Sequence, residues 1–266
     1  KIDAINDVLP GANCGGCGYV GCSDYAEACV RGDCGPNLCA PGGASCVSSI
    51  ADILGVDAGE NLPYRPVLHC VAKREEKLKQ TPYHGEQTCQ AANLVAGIQG
   101  CTYGCLGFGD CFTACEYDAI KMVDGVPEIN YDKCVGCKAC AKACPRSVIT
   151  MVPWKADQML VIGCSNKDTA LAVKSVCEIG CIGCSACAKK SPTVFKMESN
   201  LPVIDYDNFV PGAGEEQAGV DKCPREGLVY VGKPSKKDLE EVAAEELPDR
   251  IEGDFHTTAD DTEWRG

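Results

Sequence analysis

The chain has 266 residues, of which 23 are Cys and 29 Gly; only 6% are aromatic, and the formal net charge is −13. So few large apolar side chains cannot build one big core, which leaves disulfides, zinc or iron–sulfur clusters as the staples of two or three small domains. The acidic balance excludes nucleic acid as a partner. Cysteines bunched two or three residues apart rarely reach disulfide geometry with one another, so a reducing compartment is expected. No apolar run is long enough to span a bilayer and no signal peptide is visible. The first residue is Lys1 rather than Met, from which a fragment or processed protein is expected, with an N-terminal anchor removed.

In chain order, residues 1–62 read as a small helical unit. Ile2, Ile5, Val8 and Leu9 form a helical stripe that Pro10 and Gly11 end. A second helix is predicted over residues 23–30, a third over 45–54, and a linker over 59–66. Beyond it the chain repeats. IKMVDGVPEINYD, starting at Ile120, lines up with FKMESNLPVIDYD, starting at Phe195, at an offset of 75; CPRSVITMV from Cys144 matches CPREGLVYV from Cys223. Each copy is preceded by a short apolar strand ending in cysteine, PVLHC at Cys70 and MLVIGC at Cys164, and then by a charged helical stretch. Two related modules follow, 63–153 and 154–232. Residues 233–266, with 11 acidic and 5 basic side chains, form a solvated tail. Within it Ser235 and Asp238 sit in capping positions of a short helix.

KCVGCKACAKACP places Cys134, Cys137, Cys140 and Cys144 at C-x2-C-x2-C-x3-C-P, a spacing that holds [4Fe–4S] clusters and sends its fourth cysteine to the other cluster of a pair. The loop GCTYGCLGFGDCFTAC supplies the partner set. With the exchange, one cluster is expected on Cys101, Cys105, Cys111 and Cys144, and the other on Cys115, Cys134, Cys137 and Cys140. A zinc ribbon would leave the third Cys and the Cys-Pro ending surplus. In the second copy Cys181, Cys184, Cys187 and Cys223 persist. Phe209, Gly212, Glu215 and Ser191 stand where Cys134, Cys137, Cys140 and Cys115 would be, so the second cluster of that pair is lost. The N-terminal unit carries Cys14, Cys17, Cys22 and Cys39 as C-x2-C-x4-C-x16-C on Gly-rich turns; the three-plus-one layout favours a cubane over zinc.

Other features take plainer readings. Cys177-x3-Cys181-x2-Cys184 has radical-SAM spacing but no barrel-sized domain around it, and Cys177 is an alternative to one of the three loop ligands. Cys70, Cys89 and Cys164 are expected as buried thiols, Cys34 and Cys46 as free ones. His69, His84 and His256 have no catalytic partner. KREEKLK, residues 73–79, is expected as an exposed helix face.

PGANCGGCGYVGCSDYAEA with NLCAPGG, then GCTYGCLGFGDCFTAC and KCVGCKACAKACP, resembles the RnfB family, the iron–sulfur subunits of the Rnf complex, over almost all of residues 1–232. The resemblance implies an oxidoreductase subunit of a membrane-bound ferredoxin:NAD+ oxidoreductase that couples electron flow to Na+ or H+ translocation. It implies exchange of electrons with soluble ferredoxin at the cytoplasmic face of a prokaryotic inner membrane, beside membrane and flavin-bearing subunits and held by an N-terminal anchor. The expected fold is α+β: a helical [4Fe–4S] domain, then two ferredoxin-like modules stapled by clusters, four clusters in all, then a disordered acidic tail. No catalytic substrate site is expected, since each cluster has four protein ligands. The alternatives are a polyferredoxin-type relay of a hydrogenase or corrinoid-reducing system, and a zinc-binding scaffold.

Overall fold

A computed structural model describes residues 1–59 and 62–233; the helix expected around Ser235 and Asp238 and the acidic tail from 234 onward lie outside the described residues. Three helices open the chain: α1 (Ile2–Val8), α2 (Cys22–Arg31) and α3 (Gly43–Leu54). Most of the expected stripe packs: Ile5 is fully buried with Tyr25, Ala26 and Ile50, Leu9 is buried and Val8 half-buried beside them, whereas Ile2 stays exposed. Helix α2 ends on Gly32 and α3 on Gly55, both left-handed, a conformation glycine adopts without a Cβ penalty.

The remainder is mixed helix and strand. In chain order come β1 (Tyr64–Leu68), α4 (Cys89–Asn93), α5 (Asp110–Thr113), β2 (Ile120–Val123), β3 (Val126–Ile129), α6 (Ala139–Ala143) and β4 (Ile149–Pro153). The pattern then recurs as β5 (Gln158–Ile162), α7 (Ala170–Lys174), α8 (Ala186–Lys190), β6 (Phe195–Glu198), β7 (Leu201–Ile204), α9 (Gln217–Val220) and β8 (Leu228–Gly232). Each copy has a long-range antiparallel pair, β1 with β4 and β5 with β8, and a local hairpin, β2 with β3 and β6 with β7. The hairpins turn through two left-handed residues, Asp124-Gly125 and Ser199-Asn200, the backbone that two-residue loops favour. Strand β1 begins inside the stretch expected as linker.

Val67 of β1, Val152 of β4 and Val161 of β5 form one buried cluster, so the two outer sheets meet through apolar side chains. Burial of each stabilises by roughly 1.5–3 kcal/mol. Equivalent tyrosines tie hairpin to outer strand: Tyr131 donates to the Pro66 carbonyl at 3.1 Å and Tyr206 to the Leu160 carbonyl at 2.9 Å.

Residues 73–79 are not the exposed helix their charge pattern predicts. They form turns, with Lys79 left-handed. Lys77 is only 8% exposed and donates to the carbonyls of Cys105 (2.9 Å) and Gly125 (3.3 Å). A buried ammonium must find acceptors, and these carbonyls outweigh the local helical pattern. No helix among the described residues is long and apolar enough to cross a membrane.

Candidate metal centres

The cysteines sit on three copies of one backbone device. Gly107, Gly136 and Gly183, each two residues after a cysteine, have φ of 83°, 77° and 64°. A left-handed residue then starts a short helix in each case: Gly109 before α5, Lys138 before α6 and Ser185 before α8. Gly107 and Gly183 lie against the hairpins, and Gly136 against Tyr64 of β1. A Cβ on Gly107 would meet the Gly125 carbonyl at 2.7 Å, and one on Gly183 the Asn200 carbonyl at 2.9 Å. The turned backbone aims N–H groups at sulfur: Gly107 donates to Cys105, Gly136 to Cys134 and Gly183 to Cys181, each favouring the thiolate.

Three sets of four cysteines each surround a void. Cys115, Cys134, Cys137 and Cys140 line one, the grouping their spacing predicts. Cys181, Cys184, Cys187 and Cys223 line another, again as grouped from spacing. The third set differs from expectation. Cys105, Cys111 and Cys144 converge on a third, but their fourth neighbour is Cys89 at the start of α4, and Cys101 lines a different pocket. The repeat explains the exchange: Cys105-x2-Phe108-x2-Cys111 aligns with Cys181-x2-Cys184-x2-Cys187, so the middle cysteine of the loop is a phenylalanine. Carboxylate oxygens of Asp110 accept from the N–H groups of Cys89 (2.7 Å) and Gln90 (2.9 Å) and dock the incoming helix there. Cys89 had no motif around it; aligning the two loops and noticing Phe108 would have flagged a missing donor.

In the N-terminal unit Cys14 and Cys22 each lie within electrostatic reach of Cys39, with Cys46 beside it, while Cys17 and Cys22 pack against the buried cluster that holds Cys39. The Asn13 carboxamide oxygen accepts from the Cys22 N–H at 2.9 Å and fixes the turn. This unit rests on the next set of cysteines: a Cβ on Gly16 would meet the Cys137 carbonyl at 2.9 Å, and Lys142 donates to the Gly15 carbonyl at 3.1 Å.

As free thiols these groups would be poor ligands. Burial pushes Cys105, Cys111 and Cys140 up to about 12, and Cys39 up to about 11. A buried thiolate persists only where a metal or another cation offsets its desolvation. Among the described residues no three His, Cys, Asp or Glu side chains converge tightly enough to hold a single ion; each group is spread around a void. Four separated sulfurs, amide donors and a largely apolar lining fit a polynuclear iron–sulfur cluster, in which each thiolate takes its own iron. Among the described cysteines only Cys184 is exposed.

Two family profiles match, one described as "Putative Fe-S cluster" over residues 9–41 and one as "4Fe-4S binding domain" over residues 127–150. The RnfB protein of the Na(+)-translocating ferredoxin:NAD(+) oxidoreductase complex of Acetobacterium woodii is 38% identical over 230 residues, 84% of this chain and 66% of that protein. Its counterpart in the proton-translocating ferredoxin:NAD(+) oxidoreductase complex of Clostridium ljungdahlii is 36% identical over 227 residues, covering 84% of this chain and 78% of the relative. The counterpart in the ion-translocating oxidoreductase complex of Methanosarcina acetivorans is 38% identical over 181 residues, 67% of this chain and 68% of its own length. With glycine-turned cysteine loops and relatives of this kind over most of its length, the chain belongs to the RnfB family of ion-translocating oxidoreductase complexes.

Proposed function

We infer that this chain is the electron-relay iron–sulfur subunit of an ion-translocating ferredoxin:NAD+ oxidoreductase, exchanging electrons with soluble ferredoxin. It has no catalytic residue of its own. The observation that carries the reading is the convergence of four cysteines on a void in each of three places, beside a fourth cysteine-rich turn near the N-terminus. Bound there, [4Fe–4S] clusters supply one-electron transfer at low potential. Cys14, Cys17, Cys22 and Cys39 hold the first. Cys115, Cys134, Cys137 and Cys140 hold the second, and Cys89, Cys105, Cys111 and Cys144 the third. Cys181, Cys184, Cys187 and Cys223 hold the last. Four thiolates at each site leave no open iron, so a bound substrate is excluded by coordination.

The proposed organisation is a helical unit over 1–62, a two-cluster module over 63–153, a degenerate one over 154–232 and an acidic tail. Ferredoxin approaches at the exposed Cys184, and the other subunits, flavin-bearing and membrane-embedded, take the electrons at the cytoplasmic face. An N-terminal anchor preceding this sequence would hold it there. Relatives of similar identity are named for sodium and for proton translocation, so the reading commits to neither ion.

The test is to mix anaerobically prepared protein with pre-reduced ferredoxin and follow the broad cluster absorption and the EPR of reduced cubanes. Bleaching without any small-molecule mediator is expected. Zinc without labile sulfide, or clusters that dithionite reduces but ferredoxin does not, overturns the reading. Cys89→Ser is expected to lose about four Fe per chain.

A further inference from the structure

Four cysteines that no expected motif brings together as a set are gathered at one place. Cys70, Cys101, Cys164 and Cys177 line one common pocket, as Cys181, Cys184, Cys187 and Cys223 line another. They come from both copies of the repeat in equivalent pairs. Cys70 lies two residues past β1 and Cys164 two past β5. Cys101 and Cys177 each open the sequence Cys-x2-Gly-Cys, as CTYGC and CEIGC, whose last cysteine turns instead to its own module's set.

The two Cys-x2-Gly-Cys loops are held alike. Arg146 of the first Cys-Pro-Arg donates to the carbonyls of Cys101 and Gly104, both at 2.9 Å. Arg225 of the second donates to the carbonyls of Cys177 (2.9 Å) and Gly180 (3.2 Å). The glycines clear space for sulfur. A Cβ on Gly104 would stand 3.4 Å from the sulfurs of both Cys70 and Cys101, and one on Gly180 3.4 Å from that of Cys177.

Every one of the four sulfurs has an N–H donor. Backbone amides of Ala72 and Cys105 donate to Cys70, and those of Ile179 and Gly180 to Cys177. Cys164 accepts from the backbone of Asn166 at 3.4 Å, and Cys101 from the Asn166 side chain at 3.5 Å. Asn166 is 2% exposed, and the buried Lys77 ammonium lines the same void. Four acceptor sulfurs, a set of donors and a buried cation describe a cradle for a negatively charged group.

We propose that Cys70, Cys101, Cys164 and Cys177 hold a further [4Fe–4S] cluster, shared between the two repeats and standing between the Cys89 site and the Cys181 site. Loading a [4Fe–4S]2+ core on four thiols releases their four protons and leaves two net negative charges, which Lys77 and the N–H donors offset. The cluster bridges a gap in the relay. On one side Cys101-x3-Cys105 leads to the Cys89 set; on the other Cys177-x3-Cys181 leads to the exposed end. Cys29, Cys34 and Cys46 are then the cysteines left without iron. The proposal rests on the neighbouring sites carrying clusters, and its test separates the two readings.

Native mass spectrometry of the anaerobic protein, with iron and labile sulfide analysis, counts clusters directly. About 20 Fe and 20 sulfides per chain are expected. About 16 of each, with these four thiols open to alkylation in the folded protein, overturns this inference and leaves the relay reading standing. One zinc with about 16 Fe also overturns it, whereas no iron at all defeats the relay reading itself. The variant Cys101→Ser/Cys177→Ser is expected to lose about four Fe and four sulfides and to keep the rest. If it fails to fold, the wild-type mass still decides. Cys34→Ala, as a control, should keep the full count.

Discussion

The two repeats fill the same frame with different matter. The buried cluster under the first contains nine residues, five of them cysteine: Cys70, Cys105, Cys111, Cys140 and Cys177. The corresponding cluster under the second also contains nine, of which only Cys187 is cysteine; Phe195, Phe209, Met159 and Leu160 take up the volume. Where the first repeat opens a void among Cys115, Cys134, Cys137 and Cys140, the second packs Phe209 edge-on against Tyr206 at 6.3 Å. Counting back from Cys-Pro, Cys140 corresponds to Gly219 rather than Glu215, and a Cβ on Gly219 would meet the Phe195 ring at 2.7 Å. One backbone can thus be held by thiolates on an inorganic core or by aromatic packing. The exchange of one for the other involves several residues at once, because a half-filled cage would leave both unpaired thiols and a hole.

The largest break in this comparison comes from deleting one ligand on each side. Cys134→Ala should lose about four Fe and four sulfides, read by metal analysis, with electron passage to the Cys14 site falling by orders of magnitude. Its counterpart Phe209→Ala should leave iron unchanged and cost about 3–5 kcal/mol, read by anaerobic denaturant unfolding. An equal loss of iron in both would mean that the aromatic packing supports a cluster instead of replacing one.

Smaller effects sharpen the picture. Lys77→Met removes a buried cation from beside Cys105 and the shared void. The midpoint potential of the nearest cluster should fall by roughly 50 mV in a redox titration, since 59 mV is a tenfold change for one electron. Lys77→Arg should restore most of it. Last, Ser191 stands where the first repeat has Cys115, and its buried hydroxyl meets no hydrogen-bond partner among the described residues. Ser191→Ala should therefore be neutral or stabilise by up to about 1 kcal/mol. Destabilisation would reveal a partner for the hydroxyl.

Much of this was legible where chemistry is local. The stripe of Ile2, Ile5, Val8 and Leu9 predicts α1, and C-x2-C-x2-C predicts loops that gather Cys134, Cys137 and Cys140, because each depends on residues within a few positions. The long-range donors were another matter. Cys89 reaches its void through a stretch without regular periodicity, and Cys101 parts from Cys105 although they lie four residues apart. That parting follows from the docking of one repeat on the other. The Ser165 hydroxyl donates to the His69 carbonyl at 2.7 Å, and the Glu178 N–H to the Glu76 carbonyl at 2.9 Å. Such contacts leave no trace in spacing. The charge run at 73–79 misled for the same reason: Lys77 is buried by a segment a hundred residues away, pairing with Cys177.

The reciprocal pairing of CTYGC with CEIGC carries an implication for how such a chain arises and assembles. A solitary repeat possesses half of the cradle, one strand-end thiol and one loop thiol, and cannot coordinate a cubane with it. Only after tandem duplication do the halves face each other. Maturation of the shared centre must then follow the docking of both copies, so a nascent chain stalled after residue 153 could complete its own local cages but not that one. Once inserted, the metal would clasp the copies across their seam, making separation of the repeats and loss of the centre a single event.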